Sequence, residues 1–200
     1  MGLLFHSASL NVVTDFTQEL IDRGALLKGH FQLASGRHAG TYIEKFRILQ
    51  WPDLTGLMCA GIADAFRGQT NLLAGPTTGG ILMSYETARH LGLRSIIAER
   101  VEDGQLSDAK REFKRGFEIG PGDRVLVVDD VLTTGGSIRD VMAAVKARGA
   151  ETVGVGVLVD RSAGKVDFGV PFFACLTLEV ASWAPDVCTL CATGVPLIVT

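Results

Sequence analysis

The chain has 200 residues, 47% of them apolar and 20% charged, with 24 glycines. That length holds one domain with decoration and excludes two full-sized domains; the apolar-to-charged balance excludes disorder and coiled coil. Nineteen basic and 22 acidic residues leave a net charge of −3, so nucleic acid and anionic membranes are not expected partners, and any polyanion must be held at a local site.

The first stretch, MGLLFHSASLNVV, lacks a basic start, so no signal peptide is expected. Thr14 is placed to cap a helix through DFTQELIDR, with Gly24 as its stop. Residues 30–49 read as irregular structure and short strands. Pro52 suits a helix start. Leu54, Leu57, Met58, Ile62 and Phe66 then recur at helical spacing until Gly68. A strand over Asn71–Ala74, a glycine-rich turn over 75–80, a helix over about 81–91 and a strand over Ser95–Ala98 follow. VLVVDD (125–130) is a second apolar strand, TTGG (133–136) a turn, 137–149 a helix and 152–160 a strand. Strands alternating with helices imply an α/β, doubly wound, mainly parallel sheet. The two strands that end in glycine turns are expected near each other, because such sheets bind ligands beyond their strand C-termini.

Residues 100–124 carry 12 of the 41 charges, six of each sign. We read Ile96–Arg100 and Glu112–Ile119 as the arms of a hairpin with a mobile tip. Phe113, Phe117 and Ile119 are apolar residues in this polar segment that need cover. No apolar run approaches the roughly 18 residues of a membrane span. The four cysteines (Cys59, Cys175, Cys188, Cys191) read as thiols of a reducing compartment, so a cytoplasmic location is expected.

The strongest chemical signal is VLVVDDVLTTGGS, from Val125 to Ser137. A buried strand delivers Asp129 and Asp130 at its end. Glycines then let backbone N–H groups converge on an anion, Thr133, Thr134 and Ser137 add hydroxyls, and a helix N-terminus adds a positive dipole. This is a phosphate cradle that is neither a P-loop nor a dinucleotide fingerprint. Two carboxylates beside a phosphate must bind something else, and sugar hydroxyls or a hydrated Mg²⁺ are the natural candidates.

This window resembles the 5-phosphoribosyl diphosphate (PRPP) motif of type I phosphoribosyltransferases. GHFQLASGRH (29–38) with Tyr42 and Lys45, GPTTGGI (75–81), Asp160-Arg161 and DVCTLCATGVP (186–196) resemble segments of the orotate branch. The resemblance implies a single domain over 1–200, with a core of about 52–180 and a small hood from about 1–50 and 181–200. It implies a pentosyltransferase that moves ribose 5-phosphate from PRPP to orotate, giving orotidine 5′-monophosphate and diphosphate in pyrimidine synthesis. It also implies a homodimer in which the mobile loop of one subunit reaches the site of the other. Mg²⁺ would be the cofactor, held mainly through PRPP and water. Carried over by position, Asp129 and Asp130 hold the ribose hydroxyls and the metal's water shell, Val131 and Leu132 also bind PRPP, and Thr133, Thr134, Gly135, Gly136 and Ser137 hold the 5-phosphate. Arg100, Lys110 and Lys114 meet the diphosphate, while Thr133, Arg161 and Tyr42 position orotate.

The chain departs from that pattern. Gly79 and Ala34 stand where some members carry lysine, and of the usual loop cations only Arg100 is retained, with Lys110, Arg111, Lys114 and Arg115 further along. Other readings of single residues stand beside the functional ones. Arg161 is either a carboxylate fork or a surface arginine paired with Asp160 or Asp167, and Lys45 either reaches the base or is a surface lysine. His30 and His38 read as turn or surface residues. Cys188-x-x-Cys191 reads as structural thiols, because a zinc site wants four ligands and the other cysteines are distant in sequence. Two alternative functions are transfer to a purine, for which Arg161 would be dispensable, and a non-catalytic PRPP sensor.

Overall fold

The computed structural model describes residues 15–33, 35–101 and 110–200. Helix α1 (Phe16–Asp22) is capped by Asp15, whose carboxylate accepts from the Thr17 and Gln18 N–H groups at 3.0 and 3.2 Å. The expected cap, Thr14, lies outside the described residues, as does Ala34. Residues 26–49 are more regular than expected. They form a hairpin of β1 (Leu26–Gln32) and β2 (His38–Ile43), then the short helix α2 (Lys45–Leu49). Helix α3 (Pro52–Ala65) starts at the proline, and β3 (Leu72–Pro76) and α4 (Gly79–Leu91) follow. The turn expected over 75–80 thus shrinks to Thr77 and Thr78.

Strand β4 (Arg94–Arg100) pairs antiparallel with β5, which spans Arg111–Glu112 alone. The second hairpin arm is therefore shorter than the Glu112–Ile119 expected. Phe113 instead turns into the core and is 3% exposed, and Phe117 and Ile119 pack against the same cluster. Their cover comes from within the chain and needs no second subunit. The expected tip, 102–109, lies outside the described residues. Strand β6 (Arg124–Leu132), α5 (Gly136–Ala147) and β7 (Glu151–Asp160) match the second strand–turn–helix–strand unit. Beyond Asp160 no element was foreseen, and the chain forms β8 (Phe172–Thr177), β9 (Ser182–Trp183), α6 (Thr189–Ala192) and β10 (Leu197–Val199) there.

Among the described residues the main sheet has the order β5-β4-β3-β6-β7-β8, parallel except for β5. Its central strands are nearly continuous apolar runs because both faces are covered. Side chains alternate across a strand, and the core divides accordingly. Leu73, Leu126, Val128 and Leu158 face Leu54, Met58, Ile62 and Met83 of α3 and α4. Leu72, Ala74, Val125, Val127, Val155 and Val157 face Ile138, Val141, Ala144 and Val145 of α5. Each fully buried Leu, Ile or Val contributes about 1.5–3 kcal/mol.

Strand order reverses between β3 and β6. The chain winds outward from β3 to β4 on one side and from β6 to β7 on the other. The crevice beyond the C-terminal ends of these two strands is where such sheets bind ligands. A second sheet, β10-β1-β2-β9, joins segments from the two ends of the described chain.

Candidate active site

Strand β6 ends in the carboxylate pair. Asp129 is 9% exposed and Asp130 3%. Burial, and after it the charge of Asp130, pushes the Asp129 carboxyl up to about 7. Lys45 Nζ lies 3.1 Å from Asp130 Oδ2, yet that oxygen is buried without a hydrogen-bond partner among the described residues. It keeps charge balance from the lysine and lone pairs for a donor. The backbone of α4 packs against it, since a Cβ on Gly79 would overlap Asp130 Oδ2. No side chain fits at position 79 in this arrangement, which accounts for the missing lysine there. Lys45, from α2, is the cation that stands by the pair, so its surface reading is set aside.

After β6, Thr133–Ser137 wrap a small polar cavity of about 60 Å³, lined also by Asp129, Val131 and Leu132. Gly135 sits at φ +79°, and a Cβ there would press on Phe168 and Val166. Helix α5 starts at this point without a side-chain cap. Its first N–H groups are left to a ligand, and an anion of phosphate size is the chemical match.

A larger cavity of about 400 Å³ adjoins it, lined by Tyr42, Thr133, Thr134, Arg161, Ser182 and Thr200 among others. Tyr42, Thr133 and Arg161, expected to act together, are brought together here. Asp160 accepts from the Ser162 and Gly164 N–H groups, and Asp167 accepts from the Gly169 N–H. Neither takes the guanidinium, so the surface-pair reading of Arg161 is not what the structure holds. Arg161 Nε is buried with no hydrogen-bond partner among the described residues, and burial lowers the guanidinium from its ordinary value. A half-buried, unpaired planar fork is matched by a carboxylate.

The loop cations divide by strand face. Arg100 stands opposite Arg111, and Glu99 opposite Glu112. Directly opposed residues share a face. On the Glu99 face, Lys114 is held by Glu112 at 3.1 Å and Arg115 by Glu99 at 2.7 and 2.9 Å. On the other face, exposed Arg100 meets Arg111, which is 3% exposed. Arg111 donates to Thr77 Oγ1 and the Ala98 carbonyl at 3.2 and 3.0 Å. Burial, then Arg100, lowers its guanidinium, while Asp129 opposes the shift. Lys110 is exposed at the border of the described residues. Sequence reasoning held Arg111 only as one of several loop cations and Thr77 only as part of the 75–81 turn; the structure brings the two together. The loop held several cations, and only the strand register separates Arg111 from Lys114.

The crevice therefore offers a phosphate seat on α5, a carboxylate pair for vicinal hydroxyls, two arginines on one face of β4–β5 and a guanidinium in a roomy cavity. The class this defines is an α/β protein built to hold a phosphorylated sugar at the switch point of its sheet. Comparison with known proteins agrees. The phosphoribosyl transferase domain family matches residues 52–189. The orotate phosphoribosyltransferase of Pelotomaculum thermopropionicum is 50% identical over 176 residues, 88% of this chain and 90% of that protein. That of Desulforamulus reducens is 47% identical over 186 residues, 90% of this chain and 94% of that protein. The crystal structure of orotate phosphoribosyltransferase from Aeropyrum pernix superimposes with a TM-score of 0.70 at 26% identity, covering 82% of this chain and 94% of that one. The chain belongs to the phosphoribosyltransferase family, in its orotate phosphoribosyltransferase branch.

Proposed function

We propose that the chain transfers the ribose 5-phosphate group of PRPP to orotate, releasing diphosphate and forming orotidine 5′-monophosphate. The observation that carries the acceptor is Arg161, an unpaired guanidinium in a cavity that opens onto the phosphate seat. Orotate carries a carboxylate that this fork fits, and a purine carries none.

In this reading Thr133–Ser137 hold the 5-phosphate, with Val131 and Leu132 in the wall beneath it. Asp129 and Asp130 accept hydrogen bonds from the ribose hydroxyls. Arg100 and Arg111 face the diphosphate, and Arg161, Tyr42 and Thr133 orient orotate. The ring nitrogen of orotate is already acidic, so no strong base is required. The N–C bond to the anomeric carbon forms as the C–O bond to diphosphate breaks, and the negative charge grows on the leaving group. Positioning and charge neutralisation then carry the rate, with water kept out. The all-oxygen donor set of Asp129 and Asp130, in which Asp130 Oδ2 accepts no hydrogen bond among the described residues, suits a hydrated Mg²⁺ held mainly through PRPP. When bound, that ion would add positive charge beside the departing diphosphate.

We also propose a single domain whose core, about 52–180, carries the phosphate side. A hood from 1–50 and 181–200 carries the base side, a division supported by the separate four-stranded sheet. A homodimer is supported by the exposed apolar side chains of α2, α3 and α4 and the turn between them: Phe46, Trp51, Leu57, Leu82 and Tyr85. A cytoplasmic setting is supported by four free thiols. No helix among the described residues is long and apolar enough to cross a membrane.

The test is an assay with PRPP, Mg²⁺ and a panel of bases, following orotate absorbance and the release of diphosphate. Turnover with orotate and none with adenine, guanine or hypoxanthine is expected. PRPP binding without turnover of any base would favour the sensor reading and overturn this one.

A further inference from the structure

A cluster of metal-ligating side chains lies outside the crevice. His30 and His38 meet Cys188 and Cys191, and their four ligand atoms all fall within 4.8 Å of one another. His30 Nε2 is 3.0 Å from His38 Nδ1, 3.4 Å from Cys188 Sγ and 3.7 Å from Cys191 Sγ, and Cys191 Sγ is 3.3 Å from His38 Nδ1. Around a tetrahedral zinc, with Zn–N near 2.0–2.1 Å and Zn–S near 2.3 Å, ligand atoms stand about 3.3–3.8 Å apart. Three of the four spacings fall within that range, and the His30–His38 one, at 3.0 Å, is slightly shorter.

The surroundings are those of a ligand set. His30 is 1% exposed, His38 5% and Cys188 3%. His30 Nδ1 lies 2.8 Å from the Val195 carbonyl. A carbonyl only accepts, so Nδ1 carries the proton and Nε2 turns its lone pair into the cluster. Metal-bound histidines are oriented in this way. The β1–β2 register shifts between Lys28 and Phe31, so His30 sits in an irregularity of its strand, a device that re-aims a side chain. Gln32 pairs with His38, which puts His30 and His38 on one face of the hairpin as diagonal neighbours. Cys188 stands just before α6 and Cys191 within it, and both sulfurs reach His30 Nε2. The histidines missing from a reading of the CxxC pair were 150 or more residues upstream.

We propose that His30, His38, Cys188 and Cys191 form a structural zinc site. Four protein ligands close the coordination shell, which leaves no open position for chemistry, and two thiolates balance the charge of the ion. The ion would tie the β1–β2 hairpin to the segment between β9 and β10. Those elements supply Leu33, Ser35 and Tyr42 on one side, and Ser182 and Thr200 on the other, to the cavity that holds Arg161. The metal therefore fixes the wall of the base pocket from outside it.

The full-length protein, purified without chelators from zinc-supplemented cells, is analysed by inductively coupled plasma mass spectrometry. About one zinc per chain is expected, and none in the C188S/C191S double variant. Exchange of wild-type zinc for Co²⁺ should give the intense visible bands of a tetrahedral site and a thiolate-to-cobalt charge-transfer band. Stripping the zinc should lower the Tm by roughly 10 °C, restored by adding zinc back. If the double variant does not fold, the wild-type metal content and cobalt spectrum still decide. Folded wild-type protein with neither zinc nor the cobalt bands overturns the proposal, as does an intact mass lower by two hydrogens from a Cys188–Cys191 disulfide. These readouts do not depend on catalysis. A rise in the orotate KM on zinc removal, with the PRPP KM unchanged, is also expected; that arm alone rests on the proposed function.

Discussion

The half-buried Arg161 and the buried aspartate pair are groups that a ligand would relieve, and each makes a different kinetic signature. Arg161→Ala removes a charge-assisted fork worth about 1.5–3 kcal/mol, so the orotate KM should rise roughly ten- to a hundredfold. The PRPP KM should change less than about twofold, and Arg161→Lys should recover little, because a point charge does not reproduce a planar fork. Equal changes in both KM values would mark a structural arginine. At Asp130, the change to Asn keeps the shape but loses a charged acceptor, and turnover should fall by about ten- to a hundredfold at saturating PRPP. Asp129 supplies a pH signature. Its carboxyl is raised to about 7 in the folded chain, above the ordinary carboxylate range near 4. Between those values the native state binds more protons than the unfolded one, so this group's contribution to stability falls as pH rises towards 7 and is most unfavourable above it. Asp129→Asn should therefore raise the Tm of the ligand-free protein at pH 8 relative to wild type, with the gap shrinking at pH 5. Thermal melts at the two pH values check this, and a gap that is constant with pH would count against it.

At the scale of elements, the antiparallel step from β4 to β5 sorts the loop cations. Like charges directly opposite each other are unfavourable in a ladder, yet Arg100 faces Arg111 while the acidic residues on the other face occupy Lys114 and Arg115. An anion between the two arginines would remove that repulsion. Arg111→Met should thus lower kcat/KM for PRPP by about ten- to a hundredfold, whereas Lys114→Ala should stay within about twofold. Steady-state kinetics on the two variants distinguish the faces; a larger loss at Lys114 would reverse the assignment. The same register shows where sequence reading stops. The strand–turn–helix units around 72–91 and 125–160 were legible because apolar runs, glycines and hydroxyls lie next to each other in the chain. Strands β8, β9 and β10 were not: their residues are half-exposed or exposed, and β9 and β10 pair with strands at the other end of the described chain. Asp129, Asp130, Thr133–Ser137, Tyr42 and Arg161, read from the sequence as parts of one site, lie around one crevice. Arg111, Thr77 and the His30–His38 pair depend on contacts that no local pattern announces.

At the scale of the whole molecule, the exposed apolar residues of α2, α3 and α4 leave Tyr85 67% and Phe46 51% accessible, more than an isolated chain needs to show. If that face joins two copies and the Arg100 loop serves the neighbouring crevice, Arg100→Ala and Asp130→Asn should complement. Co-refolded in equal amounts, about half of the dimers are mixed and one of their two sites is intact, so about a quarter of wild-type activity should return. A refolded mixture that stays dimeric and inactive would place the loop in its own subunit. The two cavities also have different histories within one chain. The residues that line the phosphate seat end at Ile138, with Val166 and Phe168 packed behind Gly135, whereas the base cavity also takes Ser182 and Thr200 into its wall. During synthesis, then, the donor side can assemble while the acceptor side still lacks a wall. The order of translation thus separates the two halves of the site in time: the last wall of the orotate side closes when 182–200 fold back onto the β1–β2 hairpin.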